Sequence, residues 1–229
     1  MFTRFLAALV LPLLVAPAIA QQTSGLNTME DVSAFMETYY LHPRPDRIGD
    51  LIDVLSPSGF VQKRTNGSVV VAFFSEIFAA NPSRVAEWQE RIAKQNDRTK
   101  YLLERALAVS RTGGVLRGSS HSPEANDAYW AAFFASGKPE FIYRLVDQLR
   151  YFDERNDLVL FFAGATAKWS LASNAQKYPA VRSAIENARP TADKRTQGLI
   201  DELVKEDPAT VKQEIGQIIQ AQRQAGKWK

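Results

Sequence analysis

The residues that carry most enzymatic chemistry are scarce in this chain. It holds two histidines, His42 and His121, and no cysteine. A thiolate nucleophile, a disulfide framework and a thiolate metal site are therefore excluded, and a three-histidine zinc site cannot be built. His121 stands in Gly118-Ser119-Ser120-His121-Ser122-Pro123, a setting that suggests a Ser/His nucleophilic pair. Such a pair needs a rigidly held base and an orienting carboxylate. A Gly/Ser loop supplies neither by itself, and no G-x-S-x-G elbow accompanies it. Just upstream, the run RTGGVLRG from Arg111 to Gly118 places glycine-freed N–H groups between two guanidinium forks, the composition of an anion nest. The same run fits a helix C-cap followed by a basic loop, and it lacks the phosphate-loop pattern G-x-x-x-x-G-K-[ST]. Arg111, Arg117 and His121 are thus the candidate ligand-binding residues, for an anion. No catalytic set, metal site or cofactor is expected.

Paired carboxylates are the remaining enzymatic option, as in glycan cleavage, where one carboxyl must be desolvated to act as an acid. Asp50/Asp53, Glu87/Glu90 and Asp153/Glu154 are available. Asp50, Glu87 and Glu90 sit at polar helix positions, where solvation or an ion pair with a neighbouring turn is the ordinary role. The aromatics Tyr39, Tyr40, Phe73, Phe74, Phe78, Tyr129, Trp130, Phe133 and Phe134 recur at helical spacing. They are expected in the core, although such a set can also line a ligand groove.

The elements that must position these residues are helices. Apolar residues recur three and four apart through the body, and no long stretch alternates with period two. Arg44-Pro45, Asn81-Pro82, Lys138-Pro139 and Asp207-Pro208 each put proline where a helix should begin, since its missing N–H is harmless there. Further helices are expected over 98–110, 157–172, from about Pro179, over 191–205 and over 208–224. In the segment 157–172, DLVLFFAGATAKWSLA, Leu158, Phe161, Phe162, Ala165 and Trp169 form the apolar stripe; the helix is apolar nearly all round and is expected to be the central buried element, with Ala163, Gly164 and Ala167 letting neighbours approach. The loops 56–68 and 111–123 are Gly/Ser-rich and basic connectors. The final QRQAGKWK is basic and expected to fray, and its Trp228 among lysines gives only a faint membrane-surface pattern.

A repeat organises the helices. Segment 34–55 aligns without gaps on 128–149, with Pro45/Pro139, Ile48/Ile142, Leu51/Leu145, Asp53/Asp147 and Leu55/Leu149 among the identities. A third copy, 72–92, runs from Phe73 through Pro82 to Val85, Trp88, Glu90 and Ile92. The shared pattern is an aromatic helix, a tight turn, proline, then apolar residues three, six and ten positions on and an acid eight positions on. A helical hairpin of this kind cannot bury its apolar face alone, so copies must stack. The copies start at irregular intervals, so the repeat has no single period. The repeated acid argues for an architectural part rather than a catalytic one.

Residues 1–20, MFTRFLAALVLPLLVAPAIA, combine one positive charge, an apolar run broken by two prolines, and Ala18-Ile19-Ala20. This is the pattern of a secretory leader cut after Ala20, and the run is short for a membrane span. Its removal takes one of the 28 basic residues and none of the 25 acidic ones, so the net charge falls from +3 to +2. That balance, without a clustered basic stripe, gives no support to nucleic-acid binding. The expected organisation is a leader, 1–20, and one all-α domain, 21–229, built of stacked helical hairpins with at most two lobes and no transmembrane segment in the mature chain.

The stretch AAFFASGKPEFIYRLVDQL, followed by AKWSLASNAQKYPAV, resembles a family of exported bacterial helical proteins with no assigned activity. The resemblance rests on Phe133, Phe134, Gly137, Pro139, Trp169, Ser170, Leu171, Asn174, Pro179 and Val181 and covers roughly residues 70–185. It implies an all-α fold and export from a bacterium, and it brings no catalytic residues. The first hairpin departs from it, with His42-Pro43 where Ser136-Gly137 stand. The expectation is an exported, periplasmic or secreted binding or scaffold protein of the envelope, non-catalytic, whose partner is another envelope protein or an anionic ligand. The alternative is a carboxylate-dependent hydrolase of envelope glycans. A secreted effector or assembly subunit would instead show a large exposed apolar patch.

Overall fold

The structure is a computed structural model that describes residues 25–113 and 121–228. The leader segment 1–20 and Arg117 lie outside them. Among the described residues the chain is all-α: eleven helices, several short 3-10 turns and no strand. The helices are α1 (Met29–Thr38), α2 (Ile48–Val54), α3 (Asn66–Ala80), α4 (Val85–Ile92), α5 (Asp97–Arg111), α6 (Pro123–Ser136), α7 (Pro139–Gln148), α8 (Leu158–Lys177), α9 (Pro179–Ala188), α10 (Lys194–Leu203) and α11 (Pro208–Gln224).

Their starts are written in short polar side chains. Thr28 opens α1 with a reciprocal capping box to Asp31, Asn96 caps α5, Ser122 caps α6, and Asp157, Asp193 and Asp207 cap α8, α10 and α11. Each satisfies orphan N–H groups of a first turn. Pro139 and Pro208 occupy first helical positions, whereas Pro45 and Pro82 begin 3-10 turns that run on into α2 and α4. Gly137 ends α6 at φ 69°, and its N–H returns to the Phe133 carbonyl. A residue with a Cβ would be strained there.

The three repeat segments each fold as helix, turn, proline and second helix, and in the 72–92 copy the corner is wider than a closed hairpin. α3 and the helix from Pro82 to Ile92 meet at 103°. Two of the second helices then pair, α2 on α4, whereas the third, α7, lies on α6, α8 and α9. The first helices form the interior, with α3 against α5 and α6 and with α1 against α6. One contiguous apolar cluster runs from Leu26 to Trp228, with Phe73, Phe74, Trp88, Phe133, Phe141 and Phe161 deep within it. The repeated acids face outward: Asp53 pairs with Arg91 at 2.5 Å and so clamps α2 to α4, Asp147 pairs with Arg150, and Glu90 is exposed.

Three expectations are corrected by this packing. The loop 56–68 is not a bare connector: Phe60 and Val61 form a buried 3-10 turn within it, and its last three residues belong to α3. The tail is not frayed, because Trp228 is buried against Phe161 at 4.7 Å and donates its indole N–H to the Arg155 carbonyl at 3.2 Å. On α8, the polarity of two neighbours is reversed. Trp169 is exposed, whereas the Lys168 side chain is 1% exposed. The reason is that α10, α11 and the turn between them bring Glu202, Glu214 and Glu206 to the Lys168 ammonium, at 3.4, 2.7 and 3.6 Å, while the Phe152 ring lies beneath it. A buried ammonium survives only with such partners. The small residues of α8 do admit neighbours: a Cβ at Gly164 would stand 2.4 Å from the backbone nitrogen of Phe152.

Candidate functional site

Two helices and a turn build a groove on the N-terminal side of the bundle. α1 presents Met29, Ser33, Met36 and Glu37, spaced as one helical stripe. α6 answers with Asp127, Trp130, Ala131 and Phe134, at i, i+3, i+4 and i+7. The Phe60–Gln62 turn closes the floor with Phe60, and Asn66 holds that turn by donating to the Phe60 carbonyl at 2.9 Å. The outer part of the groove encloses about 510 Å³ and is edged by Glu30, Lys63 and Asn66. The inner recess encloses about 180 Å³ and continues from it through Ser33, Glu37 and Phe60.

The recess wall is an aromatic cluster fixed from behind. Trp130 and Phe134 stack at 5.7 Å, and Phe134 meets Tyr178 edge-on at 5.7 Å. Tyr40 packs on Phe133, Phe134 and Tyr178. The Trp130 indole N–H donates to the Ser170 hydroxyl of α8 at 2.9 Å, so the ring cannot swing. The Tyr40 hydroxyl is buried without a hydrogen-bond partner among the described residues. Burial, followed by the presence of Tyr178, pushes the Tyr40 phenol up, and burial followed by the Glu37 charge does the same to Tyr178.

The rim is acidic. Asp127 keeps solvent access on one side, yet the protein atoms crowded round its carboxyl desolvate it. That burial, with Glu124 one turn away, pushes its pKa above the ordinary aspartate value. Neither Asp127 nor Glu37 forms an ion pair among the described residues, whereas several other surface acids do. Asp50 is paired with Arg47, Glu87 with Arg84, Asp153 with Arg195, and Asp201 with Arg189. Glu154 accepts backbone N–H groups from Arg155, Asn156 and Asp157. The pairs Asp50/Asp53, Glu87/Glu90 and Asp153/Glu154 are therefore occupied by partners or face water.

Of the residues singled out in the sequence, Arg111 is exposed at the last turn of α5. His121 stands just before the Ser122 cap, with Nδ1 3.3 Å from Gln148 Oε1 and its ring 4.8 Å from that of Tyr151. No hydrogen bond or ion pair joins Arg111 to His121 among the described residues, and neither lines the groove. The residues that sequence reasoning did not single out are Glu37, Asp127, Met36 and Phe60. The available signal was the stripe Asp127-Trp130-Phe134, an acid in register with two aromatics on one helical face. No group of three or more histidine, aspartate or glutamate residues suited to a metal ion occurs among the described residues. Comparison of the chain with protein-family models, with curated proteins and with solved structures finds no match.

Proposed function

We propose that this chain is an exported, non-catalytic binding protein of the bacterial envelope whose ligand sits in the groove between α1 and α6. The observation that carries the reading is the recess itself: aromatic and aliphatic walls held by second contacts, with two unanswered carboxylates at the mouth. Ligand sites combine apolar walls with a few convergent polar groups in this way. Asp127 adds weight. A carboxylate held partly desolvated beside Glu124 opposes folding, and groups kept at such a cost are characteristic of sites. Export rests on the leader pattern of residues 1–20 and on the family resemblance.

The test is native mass spectrometry of the mature chain after incubation with the small-molecule fraction of a bacterial envelope extract. A ligand retained unaltered by the wild type and lost from Ser33→Trp, which fills the groove, is the expected result. A Ser33→Trp protein that is folded by circular dichroism and retains the same ligand refutes the assignment of the groove. The glycan-hydrolase reading keeps one supporting observation, the raised Asp127 carboxyl with Glu37 lining the same recess. Under that reading Asp127 is the acid, the ligand appears as cleaved product, and Asp127→Asn converts turnover into stable binding.

A further inference from the structure

Resting on the groove being a ligand site, the geometry points to its ligand class: a small organic cation, an ammonium group carried on an apolar body the size of one ring. Three features converge on this chemistry. The recess holds about 180 Å³ and opens into the outer groove, so it admits one ring-sized group at its inner end. Its walls are Met36, Val69, Ala131, Trp130 and Phe134, which favour an apolar or polarisable body, and the Trp130–Phe134 stack offers electron-rich surface to a cation. Its charge has one sign. Glu37 and Asp127 line the recess itself and have no counter-ion among the described residues, while Glu124 lies close enough to raise Asp127.

The arrangement excludes the competing ligand types on the same grounds. An anion would meet two carboxylates and no Lys or Arg in the recess, since Lys63 lines only the outer groove. A bare metal ion would forgo the apolar walls, and no cluster of metal-binding side chains is formed here. A neutral aromatic would fill the recess but leave the two carboxylates at its mouth without a counter-ion. An ammonium ion placed at the mouth answers both carboxylates with charge-assisted hydrogen bonds while its body displaces water from the walls. The anionic ligand suggested by Arg111 would belong to another part of the surface, since Arg111 does not line the groove.

The experiment uses the mature chain and four probes matched in shape: benzylammonium, benzyl alcohol, benzoate and calcium ion. Binding is followed by calorimetry and by backbone amide shifts of Ser33, Glu37, Asp127 and Ala131. The expected result is that benzylammonium binds at least tenfold more tightly than benzyl alcohol, with shifts confined to the groove, and that benzoate and calcium do not bind. Glu37→Gln and Asp127→Asn each reduce that preference to a few-fold while leaving the circular dichroism unchanged. Equal binding of benzylammonium and benzyl alcohol overturns the cation inference and leaves the groove as a site for an uncharged ligand. Calcium binding with the same shifts also overturns it. If none of the probes perturbs the groove, both the inference and the site assignment fall.

Discussion

The Lys168 hub gives the sharpest test of how the C-terminal helices are held. Replacing Lys168 with Met keeps nearly the same volume and removes only the charge, so little cavity is created. What remains is Glu202, Glu206 and Glu214 gathered round an apolar side chain. Breaking a fully buried ion pair by removing one partner costs roughly 3–5 kcal/mol. Here the three carboxylates keep 46, 31 and 40% of their side-chain surface. They can turn towards water, so the cost is discounted to about 2–3 kcal/mol. For a chain of this length that corresponds to a fall in Tm of roughly 4–12 °C. The assay is urea unfolding of the wild type, Lys168→Met, Glu214→Gln and the double variant at pH 7. A coupling energy of about 1–2 kcal/mol between Lys168 and Glu214 is expected. The pH dependence has a definite sign. Burial alone lowers the lysine pKa, but the Glu214 hydrogen bond and the three carboxylate charges outweigh it and the net shift is upward. The stabilisation is therefore fully present below the unfolded lysine value of about 10.4 and is lost only as pH rises through the higher folded value. A Lys168→Met protein as stable as the wild type at pH 7 would refute the reasoning, since it would mean that the ammonium's desolvation cancels its attraction to all three partners.

Three further outcomes are expected. Gly164→Ala drives a methyl into the backbone at Tyr151 and Phe152, neither of which is the flexible end of a side chain, so a loss of about 3 kcal/mol or more is expected by denaturant unfolding. Trp228→Ala removes the ring from Phe161 and the Arg155 carbonyl; a loss of about 3 kcal/mol is expected, together with faster amide exchange in the last turn of α11, and unchanged exchange would show that the tail is not docked. Asp127→Asn should raise Tm modestly at pH 7. The folded state holds the Asp127 proton more tightly than the unfolded chain does, so wild-type stability falls as pH rises from about 3.9 through the folded value, and the variant's advantage should vanish below that window. The neighbouring charges Glu30, Glu37, Glu124 and Lys63 are unchanged in the comparison, so a variant less stable than the wild type at pH 7 would show that Asp127 is not held at a cost.

The all-α class and most helix limits were legible because they follow from local signals. Asp157, Asp193 and Asp207 are short polar caps placed immediately before apolar periodicity, and Pro139, Pro179 and Pro208 mark first turns. The corner at Asn81-Pro82 was legible as a break but not as an angle. The 103° turn is set by what α4 packs on, which is α2 from a segment some forty residues earlier. The same limit applies to Phe60 and Val61. Two apolar residues between Gly59 and Gln62 look like loop residues until α3 packs on their turn and Arg98 of α5 donates to the Val61 carbonyl. Lys168 and Trp169 fail for a related reason. A helical stripe ranks residues by hydrophobicity, and it cannot register that three glutamates on α10, α11 and the turn between them will meet one position and not the next.

The candidate site was harder to read than the fold because its acids differ from others in their register with aromatics and in the helix packed opposite. Glu37 and Asp127 are ordinary helix-surface acids in sequence, no different in kind from Asp50 or Glu87. What separates them is that Asp50 finds Arg47 and Glu87 finds Arg84 within the same helical turn, pairings that sequence spacing predicts. Glu37 and Asp127 have no Lys or Arg three or four residues away. Spacing therefore carries a filter: acids on amphipathic helices without a basic residue at i±3 or i±4, in register with aromatics. Applied to α6, that filter selects Asp127 beside Trp130 and Phe134. Only the packing of α1 against α6 brings Glu37 to the same recess. Asp127 at the rim opposes folding and the hub carboxylates round Lys168 support it, so the same residue type marks the proposed binding site in one place and a fastening in another, according to whether a cation has been built in.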